Sequence, residues 1–263
     1  MNYKFLPFDT SGKPSSLKTI EQAKIVTILA MWSGPRNIST AMMYSFGNRA
    51  DCEAWDEPFY GYSLKAKGND HPLREEIIAT METDWDRLVE KCTTPSSMPL
   101  LYQKHMTHHM PMRQDLSFIH QLTNAFLIRD PAKVLASYTQ KWADVDLAAI
   151  GIVEQVEIFE RVSQRLGHAP PVIDSDDILA DPETLLRKLC AACGIDFDTN
   201  MLHWPKGPKA FDGVWAPHWY NAAWASEGFA ASKKPEPVLP PQLQKIADVA
   251  RACFAKMASY KIT

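Results

Sequence analysis

Hydrophobic and polar positions follow two rhythms along this chain. Short apolar runs at 25–32, 100–104, 125–128 and 171–173 have the length and the β-branched or aromatic content of buried strands. A further run at 53–58 reads as a short strand that stops at Pro58. Between them, apolar residues recur every three or four positions. That spacing predicts helices over 39–49, 74–92, 132–142, 152–166 and 242–258. The 74–92 helix rests on Ile77, Ile78, Met81, Trp85, Leu88 and Val89. Another helix is announced by Asp181 as its cap and Pro182 in its first turn, ahead of a stripe from Leu185 to Cys193. Residues 1–23 read as an irregular arm, 59–72 as a polar, Gly-containing loop, and 93–97 as a turn. Strands and helices alternate at the spacing of β-α units. The expected fold is therefore α/β: three layers, α/β/α, around a mainly parallel central sheet. No internal repeat, low-complexity tract or linker interrupts the pattern, so a single domain over 1–263 is expected.

Composition narrows the function without naming it. Of 263 residues, 46% are hydrophobic and 22% charged, as in an ordinary globular protein. A net charge of -3 argues against a nucleic-acid binder or a polybasic membrane module. The first twenty residues are polar and broken by Pro7 and Pro14, unlike a signal peptide. No apolar run is long enough to span a bilayer, so the cytoplasm is the expected compartment. Five cysteines, an odd count, suit reduced thiols. Cys190 and Cys193 form a C-x-x-C inside a helical stripe, where small core residues are the simpler reading; zinc would need two more ligands at metal spacing.

The candidate chemistry begins where the first strand ends. The loop Ser33, Gly34, Pro35, Arg36, Asn37, Ile38, Ser39, Thr40 leads straight into a helix. Such a junction presents free backbone N–H groups and a positive dipole end to an anion. Arg36 adds a cation, and Ser39 and Thr40 add hydroxyl donors. The usual triphosphate loop, G-x-x-x-x-G-K-[ST], is not matched, since neither its second Gly nor its Lys is present. A second cluster follows the strand at 125–128: Arg129, then Ser137 two turns into the next helix. Both clusters fall at the carboxyl ends of strands, where open α/β sheets bind ligands.

Together, residues 33–40 and the Arg129-x₇-Ser137 pair resemble the two donor motifs of P-loop sulfotransferases, enzymes that use 3′-phosphoadenosine 5′-phosphosulfate. The resemblance implies a P-loop NTP hydrolase-like fold. It also implies that the first loop, Arg36, Asn37, Ile38, Ser39 and Thr40, holds the 5′-phosphosulfate. Arg36 replaces that family's Lys, and Arg129 with Ser137 grips the 3′-phosphate. A third stretch, Asp177 to Pro182, is similar to the family's structural "D-L…D-P" segment. Two departures stand out. Asn37 and Ile38 replace a small Ser-Gly, and the C-terminal G-x-x-G-x-x-K is represented at most by 206–209, which makes Lys209 its nearest substitute.

Sulfuryl transfer needs a donor held in line, stabilisation of charge on the leaving phosphate, and a base for the acceptor. Arg36 could stabilise that charge without a metal. Glu57, at the end of the second strand, is the first candidate base; His108 and His109, after the strand at 100–104, are the alternatives. The resemblance implies either a Glu or a His in this role and places Lys104 near the transferring group. Four of the eight tryptophans, Trp204, Trp215, Trp219 and Trp224, lie within a Pro-rich stretch over 203–240, which reads as a lid or pocket wall. The expected activity is transfer of a sulfuryl group to a small hydroxyl or amine acceptor, with no nucleic-acid or membrane partner and no metal. A magnesium-dependent phosphotransferase using Asp56 and Glu57 as metal-side carboxylates, or a non-catalytic nucleotide binder, are the competing readings. Oligomeric state is not legible.

Overall fold

The structure is a computed structural model and describes residues 26–263 apart from 69–70, 143 and 232–234. The expected arm at 1–23 lies outside the described residues. Five strands form one sheet: β1 Thr27–Ser33, β2 Cys52–Asp56, β3 Leu100–Met106, β4 Thr123–Ile128 and β5 Val172–Asp174. Their order is β2-β3-β1-β4-β5, and every pairing is parallel. The sheet is buried on both faces, as parallel sheets are, which explains the continuous apolar runs. Leu29 and Met31 of β1 face one core cluster and Ile28, Ala30 and Trp32 face the other. Ala125 and Leu127 oppose Phe126 and Ile128 in the same way along β4.

The helices are α1 Ser39–Gly47, α2 Tyr60–Lys67, α3 Arg74–Thr80, α4 Trp85–Thr93, α5 Pro131–Tyr138, α6 Leu147–Ile150, α7 Ile152–Leu166, α8 Ser175–Ala180, α9 Pro182–Ala192, α10 Ala216–Trp219, α11 Asn221–Trp224 and α12 Pro241–Ala258. Helices α1, α8 and α9 cover one face; α4, α7 and α12 cover the other. The expected three-layer α/β architecture is what the chain adopts. Asp181 caps α9 by accepting from Thr184 N–H, and Pro131 opens α5. Cys190 and Cys193 are both buried in the α9 core, free and unliganded by other cysteines.

Four local expectations are corrected. The loop over 59–72 contains α2. Tyr60 and Leu64, four apart, bury one face. Gly61, which suggested a loop, is there for close packing: a Cβ would stand 2.8 Å from the Met81 Cβ. The single helix over 74–92 is two helices, α3 and α4. Glu82 accepts from the N–H groups of Thr83 and Asp84, and Asp84 caps α4 through Arg87 N–H, so local side-chain bonds outcompete helix continuation. The helix expected to reach 142 ends at Tyr138. β3 runs on past Lys104 to Met106, which puts His105 inside the sheet.

Gly34, just past β1, lies against the α6 backbone, and a Cβ there would come within 2.4 Å of the Ile150 carbonyl oxygen. Gly34→Ala should therefore cost about 2 kcal/mol of stability, in the range of core overpacking. The shift in the urea midpoint checks this; an unchanged midpoint would show that α6 moves away freely.

Candidate active site

The site is built at the carboxyl edge of the sheet, where the strand order reverses around β1. The β1–α1 loop carries two non-glycine residues in the left-handed region, Arg36 (φ 63°) and Ile38 (φ 56°). Such positions persist only when the surroundings enforce them. Here the surroundings are explicit. Asn37 Nδ2 donates to Leu127 O at 3.2 Å, and Ser175 Oγ lies within bonding distance of both Asn37 O (2.9 Å) and Ile128 O (2.8 Å). Gln155 Nε2 bridges Trp32 O and Leu127 O at the strand ends. Ile38, the α1 N-cap, provides no side-chain cap, so the helix start keeps its donor character.

The two anion motifs meet. Arg36 Nε donates to Ser137 Oγ at 2.9 Å, and an Arg129 terminal nitrogen donates to the Arg36 carbonyl at 2.9 Å. Arg36 has no carboxylate partner among the described residues. Burial, and then the neighbouring Arg129 charge, pull its pKa below the ordinary value. Arg129 Nε faces Asp176 at 3.6 Å, beyond hydrogen-bond range, and Lys133 takes the same carboxylate at 2.8 Å. Two adjacent guanidiniums with little local neutralisation fit a polyanionic ligand. Ser39 is buried, with its hydroxyl 3.9 Å from Met106 Sδ, and Thr40 is half-buried beside it. Lys209 does not join this group. Its ammonium donates to Pro205 O and Gly207 O, both at 2.6 Å, and lies over the Tyr44 ring.

A second constellation sits beside β2 and β3. The parallel register pairs Asp56 with Lys104 directly, on the face shared with Cys52, Ala54, Leu100 and Tyr102. Lys104 Nζ donates to Asp56 Oδ1 (2.9 Å), Glu57 Oε1 (2.5 Å) and Tyr220 Oη (2.5 Å), and its side chain is 1% exposed. Burial alone would lower the Lys104 pKa; the two carboxylates outweigh it and the net direction is up. Glu57 moves up from the usual carboxylate range because burial, with Asp56 next to it, exceeds the pull of Lys104. Its backbone is left-handed (φ 46°), and its N–H donates to Lys104 O at 3.0 Å. Strain at this residue turns its side chain back to the lysine just after the strand ends.

The histidines separate. His105 points to the opposite face, stacked on its register partner Trp32 at 4.3 Å, with its pKa driven down to about 3 by burial. His108 and His109 lie in the turn after β3. Burial holds the His108 pKa down to about 3, and burial, with help from His108, also pulls His109 well below the ordinary imidazole range. His109 stacks on Tyr60 at 4.3 Å, and its Nδ1 is 3.7 Å from Glu57 Oε2; a neutral imidazole at that distance forms neither an ion pair nor a hydrogen bond. Of the four tryptophans, Trp204 and Trp215 are buried in the α1 core cluster, while Trp219 is half-buried near His71 and Trp142. Reading the sequence missed Tyr220 as a site residue and missed Asp56 as a partner of Lys104. The i, i+2 alternation of 52, 54 and 56 against 100, 102 and 104 was the available signal for Asp56; for Tyr220 the sequence offered only its place in the aromatic stretch over 203–240.

Fold and site define the class: a parallel α/β protein with an Arg-bearing anion loop at its carboxyl edge and a buried acid–ammonium cluster next to it. Residues 26–259 match the sulfotransferase domain family, and the chain belongs to that family. Two curated Arabidopsis thaliana proteins, named branched-chain-amino-acid aminotransferase-like proteins 1 and 2, are 38% and 35% identical over 208 residues, 79% of this chain. The chain spans about 37% of the length of each of those relatives. Among solved structures, the sulfotransferase domain of the Synechococcus PCC 7002 olefin synthase aligns with TM-score 0.56 and 17% identity, covering 92% of this chain and 98% of that one. A sulfotransferase from Alicyclobacillus acidocaldarius aligns with TM-score 0.53 and 10% identity, covering 89% and 96%. At such identities these likenesses speak for the fold. Among the described residues no helix is long and apolar enough to cross a membrane.

Removing the cation from the buried cluster leaves two carboxylates facing each other without compensation. Lys104→Met should lose about 3–5 kcal/mol of stability, the usual cost of breaking one side of a buried pair. Chemical denaturation measures it; a loss below about 1 kcal/mol would mean that water reaches the cluster.

Proposed function

We propose that this protein is a sulfotransferase that takes its sulfuryl group from 3′-phosphoadenosine 5′-phosphosulfate and passes it to a small hydroxyl- or amine-bearing acceptor in the cytoplasm. The observation that carries this is the junction of Arg36, Ser137 and Arg129, two guanidiniums locked at an uncapped helix start. Arg36, Asn37, Ile38, Ser39 and Thr40 would hold the 5′-phosphosulfate, and Arg129 with Ser137 the 3′-phosphate. When bound, the donor supplies a sulfuryl group whose bond to phosphate breaks as the acceptor's oxygen or nitrogen bonds to sulfur. Arg36 offers positive charge where the leaving phosphate gains negative charge. Glu57 accepts the acceptor's proton at a carboxylate oxygen, and Lys104 faces the transferring group. Tyr60, Trp219, Trp142 and His71, a ring cluster next to Glu57 and His109, favour an apolar or ring-bearing acceptor. Lys209, held elsewhere by its own carbonyl partners, is the weakest of the candidate donor residues. Against a magnesium-dependent phosphotransferase, Asp56 and Glu57 both hold Lys104, which occupies the carboxylates such an enzyme would offer to a metal.

Titration calorimetry with adenosine 3′,5′-bisphosphate tests the donor site. Arg36→Ala should weaken binding by roughly 10- to 150-fold, the size of one or two charge-assisted hydrogen bonds. Arg129→Ala should reduce the preference for the 3′-phosphorylated nucleotide over ADP. Wild-type preference for ADP with magnesium would return the phosphotransferase reading.

The pH profile separates the candidate bases. A Glu57 base must be deprotonated, and its pKa is raised, so kcat/KM should climb with pH along a limb lying above 4.5 and vanish in Glu57→Gln. A limb near 3 would instead assign the role to His108.

A further inference from the structure

The Lys104 ammonium has three N–H donors, and all three are taken, by Asp56, Glu57 and Tyr220. To meet a sulfuryl oxygen it must release one of them. The three partners are not equally free to leave. Asp56 is pinned from several sides: it accepts from Lys104, from the Tyr220 hydroxyl (2.9 and 2.8 Å to its two oxygens) and from Gly213 N–H at 3.2 Å. It is also the register partner of Lys104, so the sheet itself holds the pair together. The Tyr220 hydroxyl is saturated. It accepts from Lys104 and from Trp215 Nε1 at 3.0 Å, and its one proton is shared between Asp56 (2.8 Å) and, at the longer reach of 3.3 Å, Glu57 Oε1. Glu57 is different. Its Oε2 has no hydrogen-bond donor among the described residues, and its side chain is 9% exposed against 2% for Asp56.

We propose that Tyr220, backed by Asp56 and Trp215, is a positioning residue that fixes Lys104 so that the Glu57 bond is the one exchanged when donor binds. This rests on the reading of Glu57 as base and Lys104 as the sulfuryl-side cation. In the exchange Lys104 keeps its three protons and trades Glu57 Oε1 for an oxygen of the donor's sulfuryl group. The freed Glu57 oxygen then takes the proton of the attacking hydroxyl or amine. The base is thereby released only when the donor is in place, which keeps it quenched in the empty enzyme. Tyr220 belongs to the aromatic stretch, so that stretch contributes a wall of the reaction centre as well as cover for α1. Its phenol stays neutral, since burial and the two carboxylates push its pKa well up.

The test compares wild type, Tyr220→Phe and Trp215→Phe by ¹³C NMR titration of the Glu57 carboxyl, assigned through its loss in Glu57→Gln, alongside kcat, KM and bisphosphate binding. Tyr220→Phe keeps the ring and removes the hydroxyl. The Glu57 titration should move to higher pH, because Oη lies 3.3 Å from Glu57 Oε1 and favours its charged form. The acid limb of kcat/KM should move with it, and kcat should fall roughly ten- to a hundredfold. Bisphosphate affinity, set at the β1–α1 loop, should hold. Trp215→Phe should move the same quantities less. A Tyr220→Phe protein with wild-type kcat and an unmoved Glu57 titration, altered only in melting temperature, would reduce Tyr220 to a structural strap and overturn the proposal. Failure of the parent reading looks different: wild type would not bind the bisphosphate, while the Glu57 titration would still decide whether Tyr220 positions the cluster.

Discussion

The parallel pairing of β2 with β3 is the constraint on which the rest of the site depends. It sets Asp56 beside Lys104 at the carboxyl edge. A slip of one residue would send Lys104 to the other face, where Gln103 and His105 are packed with Cys92 and Trp32, and the ammonium would find no carboxylate. With the register in place, Glu57 follows as the first residue past β2, and its left-handed backbone turns the chain so that both carboxylates share one cation. A buried charge of this kind is tolerated only when every donor is satisfied. That demand recruits Tyr220, more than a hundred residues further along, and with Tyr220 the aromatic stretch around Trp215.

The loop between β1 and α1 obeys a different logic. Its residues are not apolar enough to be held by burial, so the backbone is held by side chains that reach the carbonyls left unpaired at strand ends. Asn37, Gln155 and Ser175 each do this, from three separate elements. The result is a rigid loop with two residues in the left-handed region; Arg36 has no carboxylate partner among the described residues, and Arg129 has only the more distant Asp176. Preorganised donors of this type cost no reorganisation at the moment of reaction, which suits transfer of an already activated group. Asn37 and Ile38, which depart from the family's small Ser-Gly, are accommodated: Asn37 becomes a strut to β4, and Ile38 takes the left-handed angle that glycine usually supplies.

Protonation and stability are coupled at Glu57. Burial makes its charged form expensive, while Lys104 makes it affordable only as part of a pair. A carboxylate held in this way accepts no proton readily while Lys104 is paired with it. The two loop histidines illustrate the alternative outcome of burial. Without a carboxylate close enough to hold a proton on them, they are driven neutral, His109 stacking on Tyr60 and His108 set edge-on to His109.

Much of this was legible in the chain by itself, because burial on both faces of a parallel sheet writes continuous apolar runs, and helices write a period near four. The five strands, the long helices α7, α9 and α12 and the anion loop all follow from those patterns and from Asp and Pro at helix starts. The pairing of Arg36 with Arg129 and Ser137 was readable as two motifs at strand ends. Local competition was not readable: Glu82 and Asp84 break a helix that periodicity carries through, and Gly61 sits in a helix for the sake of Met81. Nor could spacing reveal which distant residue would complete a buried ion cluster. The sequence by itself determined the layers, the loop and the candidate base; the tertiary structure alone decided that Lys104 is shared by Asp56, Glu57 and Tyr220, since hydrogen-bond satisfaction in a dry interior is a property of the assembled fold rather than of any local run of residues.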